Sequence, residues 1–594
     1  MLDAFEAFSD CDGDSINDRC QIAGDPPLDL NANGILDSCD IASGTSEDEN
    51  SNGIPDENEP ALRFVSGSRV IGSGVEDGRS WATAYASLDA VLDDAADRLA
   101  PTEVWVAGGV YTPTGFGAGR SRAFHVRGDT TLLGGFAGDE EHADQRDPVA
   151  NPTILSGDFK EDDTDGGTNE ENALHVVIGP AFGEHAILDG FIIERGNADL
   201  FDSSLMISGF SNFPGYWPDA AGGGVLGMSG DLTMRGCVVR SNRARLGGAA
   251  IHAGPASYWD GSNVGVVSLT LADTAFEDNT FEYQDGFSAF AASCVFSAAR
   301  SIVDIDRCSF IGNAGGSAIS IRGVVNSPDI FSTGYTASAP FDLRNSLLVA
   351  NDSILSTGSV LALVSGSGAN QNNFHAVNNT IAYNNSRGIS VPPQGLLANS
   401  IIWGNTGDSG ATETDQVSIN ATGSVRNTIV EGWTGTLPGT HVSVSGADPM
   451  FADALSGDLR LLPGSPAIDA GDNNPLALAV LDDLDGNDRF VNDCATPDTG
   501  VPDGLRPLVD LGAYEFQAAS IMGDANGDGV VDVTDLNLVL SAWMTSVDTP
   551  GLGGDVSRDG FVDMDDLNQV LRRGRVNAND APRRTRLIRR QRNH

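Results

Sequence analysis

Six stretches of this chain are versions of one unit: "LTMRGCVVRSN", "LTLADTAFEDN", "VDIDRCSFIGN", "FDLRNSLLVAN", "FHAVNNTIAYN" and "LLANSIIWGN". Each ends in Asn, at Asn242, Asn279, Asn313, Asn351, Asn384 and Asn405, and Val239, Phe276, Phe310, Leu348, Ile381 and Ile402 fill one common slot. Two alternating apolar positions lead to a small or polar corner, then to apolar residues and the Asn. Short strands that return at intervals of roughly 20 to 40 residues describe a solenoid whose neighbouring coils bury each other's faces. An Asn at every corner can stack into an internal amide ladder that satisfies backbone groups a tight bend would orphan. A sandwich or propeller of hairpins would need two-residue Asn-Gly turns, and few are present.

The predicted class is therefore mainly β, a right-handed parallel β-helix. Ahead of it, "SWATAYASLDAVLDDAADRLA" has apolar residues at helical spacing, Ala84, Leu88, Val91, Leu92 and Ala95. This predicts a helix over 83–97 that covers the open first coil, because an exposed strand edge invites aggregation. "TEVWVAGGVYTPTG" follows as a strand and a glycine turn.

Alternate residues of each strand face outward and stack on the next coil about 4.8 Å away. Aligning the units on their apolar slots predicts one outward column of Thr233, Thr270, Asp304, Asp342 and His375, and a second of Arg235, Ala272, Asp306, Arg344 and Val377. Asp304, Asp306, Asp342, Arg344 and His375 are the candidate catalytic residues. Asp304 with Asp342 suits a calcium-bridged uronate site or a hydrolytic carboxylate pair, whose separations are about 5 to 9.5 Å. In a lyase, Arg344 would abstract the proton. The plain alternative is a set of surface ion pairs between coils, worth about 1 kcal/mol or less.

Long insertions bring aromatic residues: Phe210, Phe213, Tyr216 and Trp217 in one, Tyr258 and Trp259 in another, Tyr283 in a third. Tyr216, Trp217, Tyr258 and Trp259 are the candidate sugar-stacking residues, with Asp219, Asp260 and Asp285 to bond hydroxyls. The alternative is a satellite apolar core folded under long loops.

Both ends carry acidic loops. "DCDGDSIND", "DLNANGILD" and "DENSNGIPD" repeat with a period of 19 and place oxygen side chains at positions 1, 3, 5 and 9. The predicted cation ligands are Asp10, Asp12, Asp14 and Asp18; Asp29, Asn31, Asn33 and Asp37; and Asp48, Asn50, Asn52, Asp56 and Glu59. Gly34 and Asp40 stand at positions 6 and 12 of the second copy, whereas the first has Ser15 and Gln21 and should bind more weakly.

Near the other end, "DANGDGVVDVTD" and "DVSRDGFVDMDD" each supply a full calcium loop. The ligands would be Asp524, Asn526, Asp528, the Val530 carbonyl, Asp532 and Asp535, then Asp555, Ser557, Asp559, the Phe561 carbonyl, Asp563 and Asp566. Each loop runs straight into an apolar helix with no entering helix. Calcium would fold this module, because the bare carboxylates repel one another. The acidic spacing of "DDLDGNDR", Asp482 to Arg489, is read as a structural turn.

The formal charge is -49, and Lys160 is the only Lys. Phosphate would be repelled, which excludes nucleic acid as a partner of the body and favours calcium, basic surfaces or neutral glycans. No run of about 18 apolar residues exists to span a membrane. The start, "MLDAFEAFSDCDGD", lacks the regions of a secretory signal, yet the other cues point outside the cytosol, so an upstream leader or a displaced start codon is expected. Of seven Cys, Cys11 and Cys20 are the expected disulfide, and Cys237, Cys294, Cys308 and Cys494 should behave as small buried apolar residues. The final stretch, Arg572 to His594, holds nine Arg without apolar periodicity and reads as a disordered arm.

The front repeats resemble thrombospondin type 3 calcium repeats and, more closely, the Asp/Asn/Gly repeats at the ends of secreted planctomycete-type bacterial proteins, which implies a stiff calcium-dependent spacer. "LLGGFAGDEEHADQRD", "ILDGFIIERGNA", "SPAIDAGD" and "DLGAYEF" resemble secreted right-handed β-helix proteins of the pectate-lyase-like superfamily, a resemblance covering about residues 62 to 517. It implies fold and export more than chemistry, since lyases, hydrolases and adhesins share the scaffold. The Asp triad and Gly-His-Gly of the polygalacturonase relatives, and the pectate lyase Arg motif, have no counterpart.

The paired loops resemble the type I dockerin, which implies a cohesin-like partner. The partner-choosing positions hold Val533 and Thr534, then Met564 and Asp565, in place of the family's Ser/Thr pairs. The expected organisation is calcium repeats in 1–61, the β-helix in 62–517, a dockerin-like module in 518–576 and an Arg-rich tail in 577–594. The expected function is an extracellular calcium-binding protein that binds or cleaves a polysaccharide or cell-surface glycan. The alternative is a non-catalytic adhesive surface protein.

Overall fold

The computed structural model describes residues 61–517 apart from 69–73, 97–100, 116–118, 164–167, 182, 201–219, 228–229, 246, 254–266, 283–290, 298–300, 323–339, 354–358, 365–373, 408–411, 475–480 and 494. It also describes parts of 11–55, all of 533–545 and parts of 562–570. The chain divides into two compact units, Met1–Asp448 with Leu478–Gly486 and Leu511–Tyr514, and Pro449–Ala477 with Asn487–Asp510 and Glu515–His594.

A coil of the first unit runs through Asp231–Arg235, a corner, Val238–Arg240, a second corner, Arg243–Ala244 and then Ile251–Ala253. Successive coils pair strand on strand, and every such pairing is parallel, as the repeat predicts. The first two walls merge into one 21-stranded sheet, three short strands form the next wall and a 10-stranded sheet closes the coil. Connections between parallel strands of this kind are right-handed in nearly all proteins.

The corners explain the unit's spelling. Asp273, Arg307, Asn345, Asn378 and Asn399 turn the first corner at φ between 47° and 58°, and Ser241, Asp278, Ala350 and Tyr383 turn the second at 52° to 54°. Asn and Asp tolerate this left-handed region better than most residues, and Gly236, Gly312 and Gly404 occupy it in other coils. After the second corner comes the buried Asn. Asn242 donates its amide to Asn279 Oδ1 at 3.1 Å, and the chain of amides continues through Asn313, Asn351, Asn384 and Asn405 to Gln416 Oε1. Each Nδ2 also reaches a backbone carbonyl, as Asn313 does to Phe276 at 2.9 Å.

A second ladder lies at the first corner. The backbone N–H of Cys308 donates to Ser346 Oγ, that of Ser346 to Asn379 Oδ1 and that of Asn379 to Ser400 Oγ. On the first wall, Met234, Leu271, Ile305, Leu343, Ala376 and Leu397 stack in register and are fully buried. Phe276 and Phe310 stack with centroids 4.7 Å apart. Burying an aliphatic or aromatic side chain of this size contributes about 1.5 to 3 kcal/mol, so the continuous core is what holds the coils together.

At the open end, Thr102–Ala107 is the one described strand that pairs with Ala61–Val65. The helix Leu88–Ala96 lays Leu88, Val91 and Leu92 into the same core as Val65, which is the capping role expected. It starts later than the predicted 83 because Tyr85 is still bridged to the first strand, its N–H donating to Phe64 O. Trp81 lies in a 3-10 turn and joins Phe64, Trp105 and Phe136 in a separate aromatic cluster.

In the front segment, the helices Asp18–Gly24 and Asp37–Ser43 begin 19 residues apart, in step with the repeat. The disulfide joins Cys11 to Cys39, with Cα atoms 5.9 Å apart, and Cys20 is free and exposed. This corrects the expected Cys11–Cys20 pair: Cys39 is buried in the second helix and meets Cys11 of the preceding loop, so the bridge ties two repeats together rather than closing one. Cys237, Cys294 and Cys308 are buried as expected.

The second unit contains the antiparallel pair Phe451–Asp453 and Asp458–Leu461. Its interior holds Arg489 and Glu515, both fully buried with a closest separation of 3.8 Å, so the Arg of "DDLDGNDR" has a structural place. In the tail, the helix Val533–Ser541 contributes Val539 to a small core with Val562 and Val570. Met544 N–H donates to Val562 O and Val562 N–H to Thr545 O, joining the two halves.

Candidate functional site

The first wall builds the predicted columns by register. Thr233 pairs with Thr270, Thr270 with Asp304, Asp304 with Asp342 and Asp342 with His375. The neighbouring column runs Arg235, Ala272, Asp306, Arg344 and Val377. Because the inward neighbours of these residues are fixed by the core, the outward side chains are fixed as well.

Within the columns, Arg344 Nη2 donates to Asp304 Oδ1 at 2.6 Å, while its Nη1 and Nε lie 4.0 Å from Asp342 and Asp306. The guanidinium thus stands between Asp304 and Asp342 and bonds the first of them. His375 Nδ1 donates to Asp342 Oδ1 at 2.8 Å, and that bond raises the imidazole pKa against the opposing effect of burial. His375 and Asp342 remain partly open to solvent.

Two partners escaped the sequence reading. Arg307 grips Asp273 with two bonds of 2.7 and 2.9 Å and reaches Asp306 Oδ2 at 2.8 Å. Asn345 donates to the other oxygen of Asp306 at 3.0 Å. The Asp273 bond raises the Arg307 pKa, and burial raises that of Asp306 although Arg307 and Arg344 oppose it. Asp273, Arg307 and Asn345 are all first-corner residues, and the signal was their charge and polarity just before a buried small residue. Leu484 and Tyr514 face Asp273 and Arg307 across a cleft of about 300 Å³.

The aromatic candidates Tyr216, Trp217, Tyr258 and Trp259 lie outside the described residues, as do Asp219, Asp260 and Asp285.

Of the calcium candidates, the second front repeat is the best described. Asp29 accepts the N–H groups of Asn33 and Gly34, and Asn33 accepts that of Ile35. Asn31 and Asn33 both direct their amides to Asp40 Oδ2, at 3.4 and 2.7 Å. Asp37 and Asp40 are buried, and the Oδ1 atom of each has no hydrogen-bond partner. Two buried, unbonded carboxylate oxygens beside a ring of oxygen ligands fit a hard cation.

Asp18 holds the same place in the first repeat, accepting Cys11 N–H as Asp37 accepts Leu30 N–H. The other first-repeat ligands, Asp10, Asp12 and Asp14, and the third-repeat set Asp48, Asn50, Asn52, Asp56 and Glu59 lie outside the described residues. So do Asp524, Asn526, Asp528, Val530, Asp532, Asp555, Ser557, Asp559 and Phe561. Asp566 is fully buried and accepts Asp563 N–H at 2.8 Å, so the end of the second tail loop is folded inward. Among the described residues, one further acidic group converges, Asp158 with Asp162 and Asp163, but Asp158 already bonds Arg195 and three backbone N–H groups.

Residues 522–573 match the family model of the dockerin type I domain. Type I dockerin domains bind calcium, which supports calcium as the ion of this module. No curated protein sequence matches the chain. Among solved structures it is similar to the pectate lyase Pel9A, at 12% identity over 77% of this chain and 96% of that one, with a TM-score of 0.33. The pectin methylesterase of Aspergillus niger gives 11% identity, coverage of 66% and 88%, and a TM-score of 0.26. The family 28 exopolygalacturonase of Yersinia enterocolitica gives 11%, 66% and 77%, and 0.20. No helix of the described residues is long and apolar enough to cross a membrane.

Proposed function

We propose that this chain is an extracellular, calcium-dependent β-helix protein that binds polysaccharide along its first wall and is attached by its dockerin module to a cohesin-like protein. The observation that carries the reading is the column Thr270, Asp304, Asp342 and His375, flanked by Asp306 and Arg344. It sets hydroxyl, carboxylate, imidazole and guanidinium groups on a rigid surface at about 4.8 Å intervals, close to the rise of one sugar unit in an extended chain. The calcium modules at the two ends hold the protein in place, and no calcium step is assigned to the wall. Binding of the full-length protein to a panel of neutral and anionic polysaccharides, with Asp304→Asn, Asp342→Asn and His375→Gln variants, tests it. Equal binding by all variants would contradict it.

A second reading, catalysis on the same wall, is favoured by the His375–Asp342 pair, a half-exposed imidazole oriented by a carboxylate. New reducing or unsaturated ends that vanish in His375→Gln would support it, and their absence with every bound polysaccharide would remove it.

A further inference from the structure

A groove of about 570 Å³ lies on a different wall, over the second corner of three successive coils. Its floor is Arg195 with Gly196, Ser241 with Arg243, and Asp278 with Thr280, held in register by the pairing of Asn197 with Arg243 and of Arg243 with Thr280. The floor rests on the amide ladder: Gly196 N–H donates to Asn242 Oδ1 and Asn242 N–H to Asn279 Oδ1. A Cβ on Gly196 would fall 1.8 Å from Gly223 O, so the coils meet here at the closest approach the chain allows.

The side of the groove is the turn Asn169–Glu171. It is fastened to the floor by Asn197 Nδ2 to Asn169 O at 2.8 Å and by Asn172 Nδ2 to Arg195 O at 2.9 Å.

What sets this groove apart is which groups are already used. Arg195 is committed to Asp158 and Glu194, and Arg243 to Glu282. The carboxylates of Glu170 and Asp278 and the hydroxyls of Ser241 and Thr280 line the groove and have no hydrogen-bond partner among the described residues. Beside them, Asn172 is 1% exposed, and its Oδ1 is buried without a partner. The groove therefore offers spare acceptors, two small hydroxyls and no uncommitted cation.

We infer that this groove is a second glycan site, one that takes an uncharged, hydroxyl-rich saccharide rather than a uronate. Sugar hydroxyls donate to Asp278 and Glu170 in charge-assisted bonds, and a carboxylated sugar would meet the same two carboxylates as like charges. Three coils at about 4.8 Å each accommodate about two to three hexose units. The inference deepens the polysaccharide reading and rests on it, but names a separate wall and a ligand class.

The test is calorimetric titration of the full-length protein, in calcium, with neutral hexose oligomers of about four to six units and with uronate oligomers of the same length. The variants are Asp278→Asn and Glu170→Gln, which remove acceptor charge at exposed positions, and Thr280→Arg, which fills the groove; thermal melts of each confirm folding. The expected result is neutral-oligomer binding weakened about tenfold by each amide variant and lost in Thr280→Arg. Neutral binding unchanged by the groove variants but weakened by Asp304→Asn would overturn this site and leave the first-wall reading standing. Preference for the uronate oligomers at the groove would overturn the ligand class, and no binding of any glycan would overturn both readings.

Discussion

The side-chain amide of Asn313 donates to Asn351 Oδ1 at 2.9 Å across 38 residues of sequence. Asn313 Oδ1 in turn accepts the backbone N–H and the side-chain amide of Asn279. One buried carboxamide thus satisfies groups on the coils to either side of its own. Asn313→Ala leaves several of them unbonded in a dry interior, and each costs about 1 to 3 kcal/mol. We predict a loss of about 3 kcal/mol or more, read as a lowered urea midpoint. Asn385→Ala, which removes an exposed bond to Asp352, should cost less than about 1 kcal/mol.

Calcium binding by the front segment should depend on Asp37 and Asp40, whose buried Oδ1 atoms have no hydrogen-bond partner. The double variant Asp37→Asn/Asp40→Asn is expected to bind one calcium equivalent fewer than the parent by titration, while the dockerin module keeps its own. An unchanged stoichiometry would remove the site.

Thiol chemistry separates the cysteines. Cys20 is exposed, whereas burial pushes the Cys237 thiol up to about 11 and raises those of Cys294 and Cys308. Alkylation of the native protein should label Cys20 quickly and those three only after unfolding. Peptide mapping should recover Cys11 joined to Cys39, and a Cys11–Cys20 peptide would contradict the fold of the front segment.

The buried carboxylates of the second unit predict its pH response. Burial raises Asp510 to about 7 and Asp469 to about 6, against an ordinary value of 3.8. A carboxyl that holds its proton in the folded state beyond its unfolded pKa stabilises fully below the unfolded value and loses that contribution as pH rises through the folded one. Stability of this unit should fall as pH rises from about 4 through about 7. Asp510→Asn should flatten the slope in thermal melts. His375, raised by its bond to Asp342, acts in the same direction on the first unit.

Much of this architecture was legible because a parallel solenoid writes its register into the sequence. Once Phe310 and Leu348 share a slot, Asp304 must stack on Asp342 and Asp306 on Arg344, and they do. The corners were harder. Arg307 and Asn345 adopt left-handed backbone that no residue type fixes uniquely, and their side chains turn sideways to Asp273 and Asp306 rather than along the column. The disulfide was misassigned because sequence proximity favoured Cys20, while contact between repeats decides the pairing. The groove by Asn172 was invisible for a related reason: its side comes from a turn outside the repeat, and the free acceptors emerge only when the committed ones are known.

The central claim is that the first wall contacts the sugar chain, and affinity measured by titration of the full-length protein with a polysaccharide it binds tests this most directly. Asp304→Asn and Asp342→Asn together should weaken binding by about tenfold, the equivalent of one charge-assisted hydrogen bond, with melting temperature near that of the parent because both residues are partly exposed. Undiminished affinity in a folded double variant would contradict the account and leave these carboxylates as ion pairs between coils.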